Sequence, residues 1–253
     1  MNKIKKILVS AGSALALIAS TLVVGGTPAQ AALTYLYAQG AETKTETGAA
    51  VLITVASPTV TAGDFHSLAQ MAVFSSDLQQ VVEVGWSVDP ATFSDNNPHL
   101  FATRWTNGAF GGYSDTSWVD YAPNAVNKGA SLALDVGSLK AFQISFDGSN
   151  NIWVYYNGVA VGHFPASDWT SPTFTTGSKW KFWGEVAANV ASPTTLMGTG
   201  TCSAAAGAAK FSSVTYADSS TGNLSLSATD TSKYTTTAIS AKSFYFGGDG
   251  SCP

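Results

Sequence analysis

The sequence predicts an all-β fold of antiparallel strands, closed as a sandwich or a barrel. Three observations carry that expectation. Short runs rich in β-branched and aromatic residues recur along the chain. Clusters of Gly, Pro, Asn, Asp and Ser separate them every eight to fifteen residues or so. No segment shows the apolar periodicity of an amphipathic helix of about three turns.

Taken in order, residues 50–55, Ala-Val-Leu-Ile-Thr-Val, form the first strand run. Residues 67–78 form a short segment that reads as a helical turn or as another strand. Residues 81–88 alternate cleanly, with Val82, Val84, Trp86 and Val88 on one face. Residues 141–146, 152–156, 179–186 and 210–216 are further strand runs. Asn157-Gly158 between 152–156 and 159–162 is a strong two-residue hairpin signal. Asp147-Gly148 reads as a second tight turn, favoured over a calcium loop. The Ser/Thr-rich stretch 217–240 carries little pattern, and no internal repeat is visible.

The first residues read as an address. Lys3, Lys5 and Lys6 precede an apolar run over 7–24, and Ala29-Gln30-Ala31 supplies a small-x-small cleavage pattern. A secretory signal peptide over 1–31 is expected, leaving one domain over 32–253, secreted and free of the membrane. The leader holds three of the 12 Lys+Arg and none of the Asp+Glu, so its loss makes the domain more acidic than the full chain's −4. An acidic domain without a basic cluster argues against nucleic acid or anionic membrane as partner. Two cysteines, Cys202 and Cys252, are expected to form one disulfide in an exported protein. With no further cysteine, neither a zinc site nor a redox motif is offered.

The common catalytic motifs are absent: no Gly-x-Ser-x-Gly, no phosphate-cradling glycine loop, no His-Glu-x-x-His. His66, His99 and His163 stand far apart, and nothing points to a serine triad. The glutamates say more. Of four, Glu42 and Glu46 lie in a polar stretch where a solvated role suffices, while Glu83 and Glu185 interrupt apolar β segments. Glu83 shares a strand face with Val81, Gly85 and Ser87; Glu185 shares one with Lys181 and Trp183. Each has a glycine within two residues, which leaves room for another chain to approach. Carboxylates set among apolar residues have raised proton affinity, and two close together share one proton, an acid and a base ready to act on water. Against this stands the reading in which each faces solvent or pairs with a neighbour such as Lys181.

In order along the chain, several segments resemble the neprosin family of glutamic peptidases. These are Gly48-Ala49-Ala50-Val51-Leu52-Ile53, Phe65-His66-Ser67-Leu68-Ala69-Gln70 and Val82-Glu83-Val84-Gly85-Trp86-Ser87-Val88-Asp89-Pro90. Leu100-Phe101 with Trp105-Thr106 follows, then Ile152-Trp153-Val154 with Asn157-Gly158 and Val161-Gly162-His163-Phe164-Pro165. Gly184-Glu185-Val186, Met197-Gly198-Thr199-Gly200 and Phe246-Gly247-Gly248-Asp249-Gly250 complete the set. The resemblance implies two packed antiparallel sheets with Glu83 and Glu185 facing each other in a cleft on the concave sheet. It also implies hydrolysis of peptide bonds after proline, in acid, without metal or organic cofactor. The substrate would be a peptide or protein, proline-rich ones included, and a monomer is expected. The chain departs from the family where Phe182-Trp183-Gly184-Glu185 replaces a common Trp-Gly-Gly-Glu, so a large ring, Trp183, is expected to enter the cleft as a wall for an apolar side chain or a proline ring. His163 stands where tyrosine is common, and cysteines of plant members around 105–119 are missing. The catalytic pattern begins so close to the leader that the activation domain of plant members is not expected. The alternative to a peptidase is a secreted, non-enzymatic β-sandwich whose tryptophans and tyrosines stack on carbohydrate or cell-wall polymer; a glycosidase using the same two carboxylates is a third reading.

Overall fold

The structure, a computed structural model, describes residues 33–123, 126–169, 174–248 and 252. The expected leader over 1–31, and Asp249 and Gly250 of the glycine-rich segment, lie outside the described residues. The strands in chain order are β1 (Thr34–Glu46), β2 (Gly48–Thr54), β3 (His66–Phe74), β4 (Val81–Val88), β5 (His99–Thr106), β6 (Ala109–Phe110), β7 (Val119–Asp120), β8 (Leu139–Phe146), β9 (Ile152–Tyr156), β10 (Val159–Phe164), β11 (Gly177–Ala188), β12 (Ala209–Tyr216), β13 (Ser225–Ala228), β14 (Thr235–Ser240) and β15 (Ser243–Gly247). A single turn of helix, α1 (Pro90–Phe93), follows β4; Asp89 caps it by accepting from the Thr92 backbone N–H. Among the described residues no helix is long and apolar enough to cross a membrane.

These strands make two antiparallel sheets packed as a sandwich. One runs β13-β1-β11-β3-β4-β5-β6 and the other β14-β15-β12-β2-β8-β9-β10-β7. The alternation read from 81–88 is the reason they pack: Val82, Val84, Trp86 and Val88 are wholly buried between the sheets. Trp180 and Phe182 of β11 meet them there, with Phe142 of β8, Phe211 of β12, and Phe244 and Phe246 of β15. The buried indole of Trp86 donates to the Thr54 carbonyl oxygen at 2.9 Å, tying one sheet to the other. Outer strands β6 and β7 are two residues long and β13 is four, which keeps exposed edges short.

The Asn157-Gly158 hairpin forms between β9 and β10, with both residues at positive φ, 49° and 81°, as its two-residue turn requires. At Asp147 the tight-turn reading holds. Its carboxylate accepts from the Ser149 and Asn151 backbone N–H groups, the Asn151 amide and the Trp153 indole. Burial works against the charge there, but those donors win and hold the carboxyl down at about 2. Residues 67–74 resolve as strand, not helical turn. β3 is the middle strand of its sheet, so both faces are covered and the alternation that marks a half-exposed strand is lost. The expected disulfide joins Cys202 and Cys252, Cα atoms 5.6 Å apart.

Candidate active site

The site is built on the face of the seven-stranded sheet that points away from the sandwich interior. Because β4 sends its valines and Trp86 inward, its odd-numbered partners Val81, Glu83, Gly85 and Ser87 point outward. The same rule turns Lys181, Trp183, Glu185 and Ala187 of β11 outward, and Tyr35, Tyr37 and Gln39 of β1. Leu68, Gln70 and Phe74 of β3 and Phe101, Thr103 and Trp105 of β5 complete the floor. Together these line a cleft of about 560 Å³ that contains both Glu83 and Glu185. Strand β3 runs between the two glutamates. Glu83 sits opposite Ala72 and Glu185 opposite Leu68, with Gln70 at the position between.

Each carboxylate is held by groups from several strands. Glu83 Oε1 accepts from the Gln70 side-chain amide at 3.2 Å. Its Oε2 accepts from the Thr103 hydroxyl at 2.8 Å and the Trp105 indole at 3.2 Å. Burial nonetheless pushes the Glu83 carboxyl up to about 7; the Thr103, Trp105 and Gln70 bonds oppose that rise and the charge of Glu185 adds to it. Glu185, only 7% exposed, accepts from the Trp183 indole at Oε2, 3.0 Å, and pairs through Oε1 with His66 Nε2 at 2.9 Å. Tyr37 lies directly across from Glu185 on β1. Burial and the two carboxylates hold its phenol well above the ordinary tyrosine range, so it stays a hydroxyl donor at any working pH. Burial and Glu185 push Tyr35 the same way.

The structure therefore brings together the three cleft residues expected from sequence, Glu83, Glu185 and Trp183. Neither glutamate faces bulk solvent or bonds to Lys181; their partners are Gln70, Thr103, Trp105, His66 and Trp183. Glu42 and Glu46 lie outside the cleft, but Glu42 is more than a solvated charge. It accepts from the Tyr216 hydroxyl and the Asn223 backbone, pinning β1 to the tail. The two glycines also serve differently from the expectation that they admit another chain. A Cβ at Gly85 would overlap the Ala69 carbonyl oxygen and lie 2.6 Å from Gln70 Cα, and one at Gly184 would lie 2.5 Å from Phe246 Cδ2. They make room for the protein's own strands.

Sequence reasoning missed Gln70, Thr103, Trp105, Tyr37 and the role of His66. A signal existed for one of them: Gln70 is the lone amide in the apolar run 68–74 and is 2% exposed. His66 serves Glu185, while His99 bonds Asp95 and the Gly129 carbonyl. Among the described residues no group of three or more His, Cys, Asp or Glu is placed to hold a metal ion. Two carboxylates in one cleft, one of them raised in proton affinity by burial, can activate a water and polarise a carbonyl.

The sequence pattern of the family described as Neprosin matches residues 63–249. No curated protein matches the chain. Among solved structures, scytalido-glutamic peptidase with a peptide-based transition-state analogue aligns over 86% of this chain and 99% of its own, at 9% identity and TM-score 0.47. SCP-B, a member of the Eqolisin family of peptidases in complex with the tripeptide Ala-Ile-His, aligns over the same shares at 9% identity and TM-score 0.46. A glycoside hydrolase family 16 endo-glucanase from Bacteroides ovatus aligns over 64% of this chain and 70% of its own, at 13% identity and TM-score 0.36.

Proposed function

This chain belongs to the Neprosin family, and on that premise, with the geometry of its cleft, we propose that it is a glutamic endopeptidase in which Glu83 and Glu185 are catalytic. The observation that carries the reading is that the only two glutamates embedded in apolar strands share one cleft.

Glu83, whose carboxyl keeps its proton up to about 7, is the acid. It donates a hydrogen bond to the scissile carbonyl oxygen and polarises it. Glu185, oriented by the Trp183 indole and by His66, is the base. It takes a proton from a water whose oxygen attacks the carbonyl carbon, and the π electrons move onto the oxygen stabilised by Glu83. As the tetrahedral centre collapses, the C–N bond breaks and the proton held by Glu185 passes to the departing amine. Tyr37 and Tyr35 supply hydroxyl donors along the same wall. The substrate is a peptide or protein. Preference for proline on the acyl side fits a ring lying against Trp183, which is 5% exposed at the cleft surface. The domain acts after export, cleaved from the leader over 1–31, and as a monomer.

The test is cleavage of quenched peptides with and without proline by the protein freed of residues 1–31, from about pH 3 to 8. Glu83→Gln and Glu185→Gln are each expected to lower kcat/KM on the order of a thousandfold while the protein stays folded. Activity should decline as pH rises through about 7, where Glu83 loses its proton. Cleavage untouched by both substitutions would sink the assignment.

A further inference from the structure

We propose that Lys181 is a specificity-determining residue, placed to hold a carboxylate on the substrate one or two residues from the scissile bond. The inference rests on the peptidase reading above and adds to it the class of peptide the cleft prefers.

Among the described residues Lys181 is the sole lysine or arginine lining the cleft. It shares the outward face of β11 with Trp183 and Glu185, and it lies opposite Ala72 of β3. Glu83 lies opposite the same Ala72 from the other side. Lysine, alanine and glutamate thus form one row across three strands, and Ala72, wholly buried against Val81 and Trp183, separates the two charges. The Lys181 ammonium does not reach Glu83. Its nitrogen stands 5.3 Å from the centre of the Phe74 ring, and among the described residues no carboxylate lies within ion-pair distance of it.

A half-buried ammonium over an aromatic face, without a counter-ion, is a site missing an anion. Burial, and then Lys179, depress its proton affinity, with Glu83 opposing. The ionisable groups around it are Lys179 and Glu185 on its own strand, Glu83 on β4 and Tyr37 on β1. Of these, Glu83 is the acid of the reaction. Once it takes up its proton, the charge that partly compensated Lys181 is gone. In the range where Glu83 is protonated and a peptide carboxylate is still ionised, a negative group on the substrate is the complement.

The position sets the register. Lys181 is two residues from Trp183 along β11, about 7 Å at the rise of a strand, and Trp183 lies between it and Glu185. A peptide extended along the cleft with its scissile bond between the glutamates would bring a residue one or two positions away to the ammonium. Phe74, Val81 and Trp105, in the row beyond, offer apolar surface to that residue's stem. The carboxylate can be a Glu or Asp side chain or the free C-terminus of a short peptide.

The experiment uses matched quenched peptides differing only as Glu or Gln at positions within two residues of the cleaved bond, each with a free or amidated C-terminus, at about pH 5.5, where Glu is ionised. The wild type should prefer a carboxylate-bearing peptide by about tenfold in kcat/KM, the scale of one added charge contact at partial exposure. Lys181→Met, which keeps the stem, should bring the ratio to about one, Lys181→Arg should restore it, and Lys181→Glu should invert it. A preference that follows the free terminus alone assigns the carboxylate to the chain end; one that follows Glu assigns it to the side chain. Equal rates in the wild type, or a ratio that survives Lys181→Met, would overturn the proposal. If no peptide is cleaved, the peptidase reading fails first. Quenching of the cleft tryptophans by the same Glu and Gln peptides then decides this one: equal affinities reject it, and a Glu preference abolished in Lys181→Met upholds it.

Discussion

At Glu83 a carboxylate with three hydrogen-bond donors still favours its proton, because the strands around it exclude water more effectively than the donors replace it. That has a consequence for stability. With an ordinary value of 4.5 unfolded and about 7 folded, the folded state binds more protons between those values. The contribution of Glu83 to stability is therefore full below about 4.5 and is lost as pH rises through about 7. At 1.4 kcal/mol per unit the full effect is roughly 3 kcal/mol, reduced because Glu83 keeps some exposure to the cleft. Glu83→Gln should flatten this slope, and urea midpoints at pH 4.5, 6 and 7.5 would read it; a slope like the wild type's would place the titration elsewhere. Gln70 helps the substitution fit, since its buried Oε1 has no partner and, with its amide turned, can accept from the new amide. The two glutamates were legible in the sequence because a charge in an apolar strand is conspicuous. Gln70, Thr103 and His66 were not. Each matters through a partner on another strand, and the registers that pair Gln70 with Gly85 and Glu83 with Thr103 are written in no local pattern.

Strands were legible where one face is wet or a turn is distinctive. β4 matches the expectation at both ends, and the β9–β10 hairpin follows from Asn-Gly. β1 was missed because Glu42, Lys44 and Glu46 give its second half the look of a surface loop, whereas that half pairs with β11 on one side. β13 and β14 were hidden in a Ser/Thr-rich stretch whose side chains give little contrast between faces. The closest packing at this scale is between β3 and β4. Gly85→Ala would force its new methyl into the Ala69 carbonyl and Gln70 Cα, both backbone atoms that cannot rotate away. A loss of about 2–3 kcal/mol is expected, together with weaker catalysis because Gln70 must shift from Glu83. A urea midpoint within error of the wild type would show that the two strands separate without strain.

Across the whole molecule, the covalent staple closes a loop that touches both sheets. Cys202 precedes β12 and Cys252 follows β15, so the disulfide, at a separation of 50 residues, encloses β12, β14 and β15 of the eight-stranded sheet and β13, the edge strand of the sheet that carries the cleft. Replacing both cysteines by alanine should lower stability by about 4 kcal/mol in the chain-entropy account. Thermal denaturation would show it, and peptide cleavage well below the new midpoint should keep its rate. Loss of activity without loss of stability would mean the two sheets are coupled. The sandwich class was readable from strand density and turn spacing. The assignment of strands to sheets was not, because β11 enters between β1 and β3, strands made long before it. This insertion also sets a clock. A ribosome adding about 5–20 residues per second completes β4, with Glu83, roughly 5 to 20 s before β11 and Glu185 exist. Until then Tyr37 and Leu68 face a gap, and under the proposed mechanism the unfinished chain holds Glu83 without its partner.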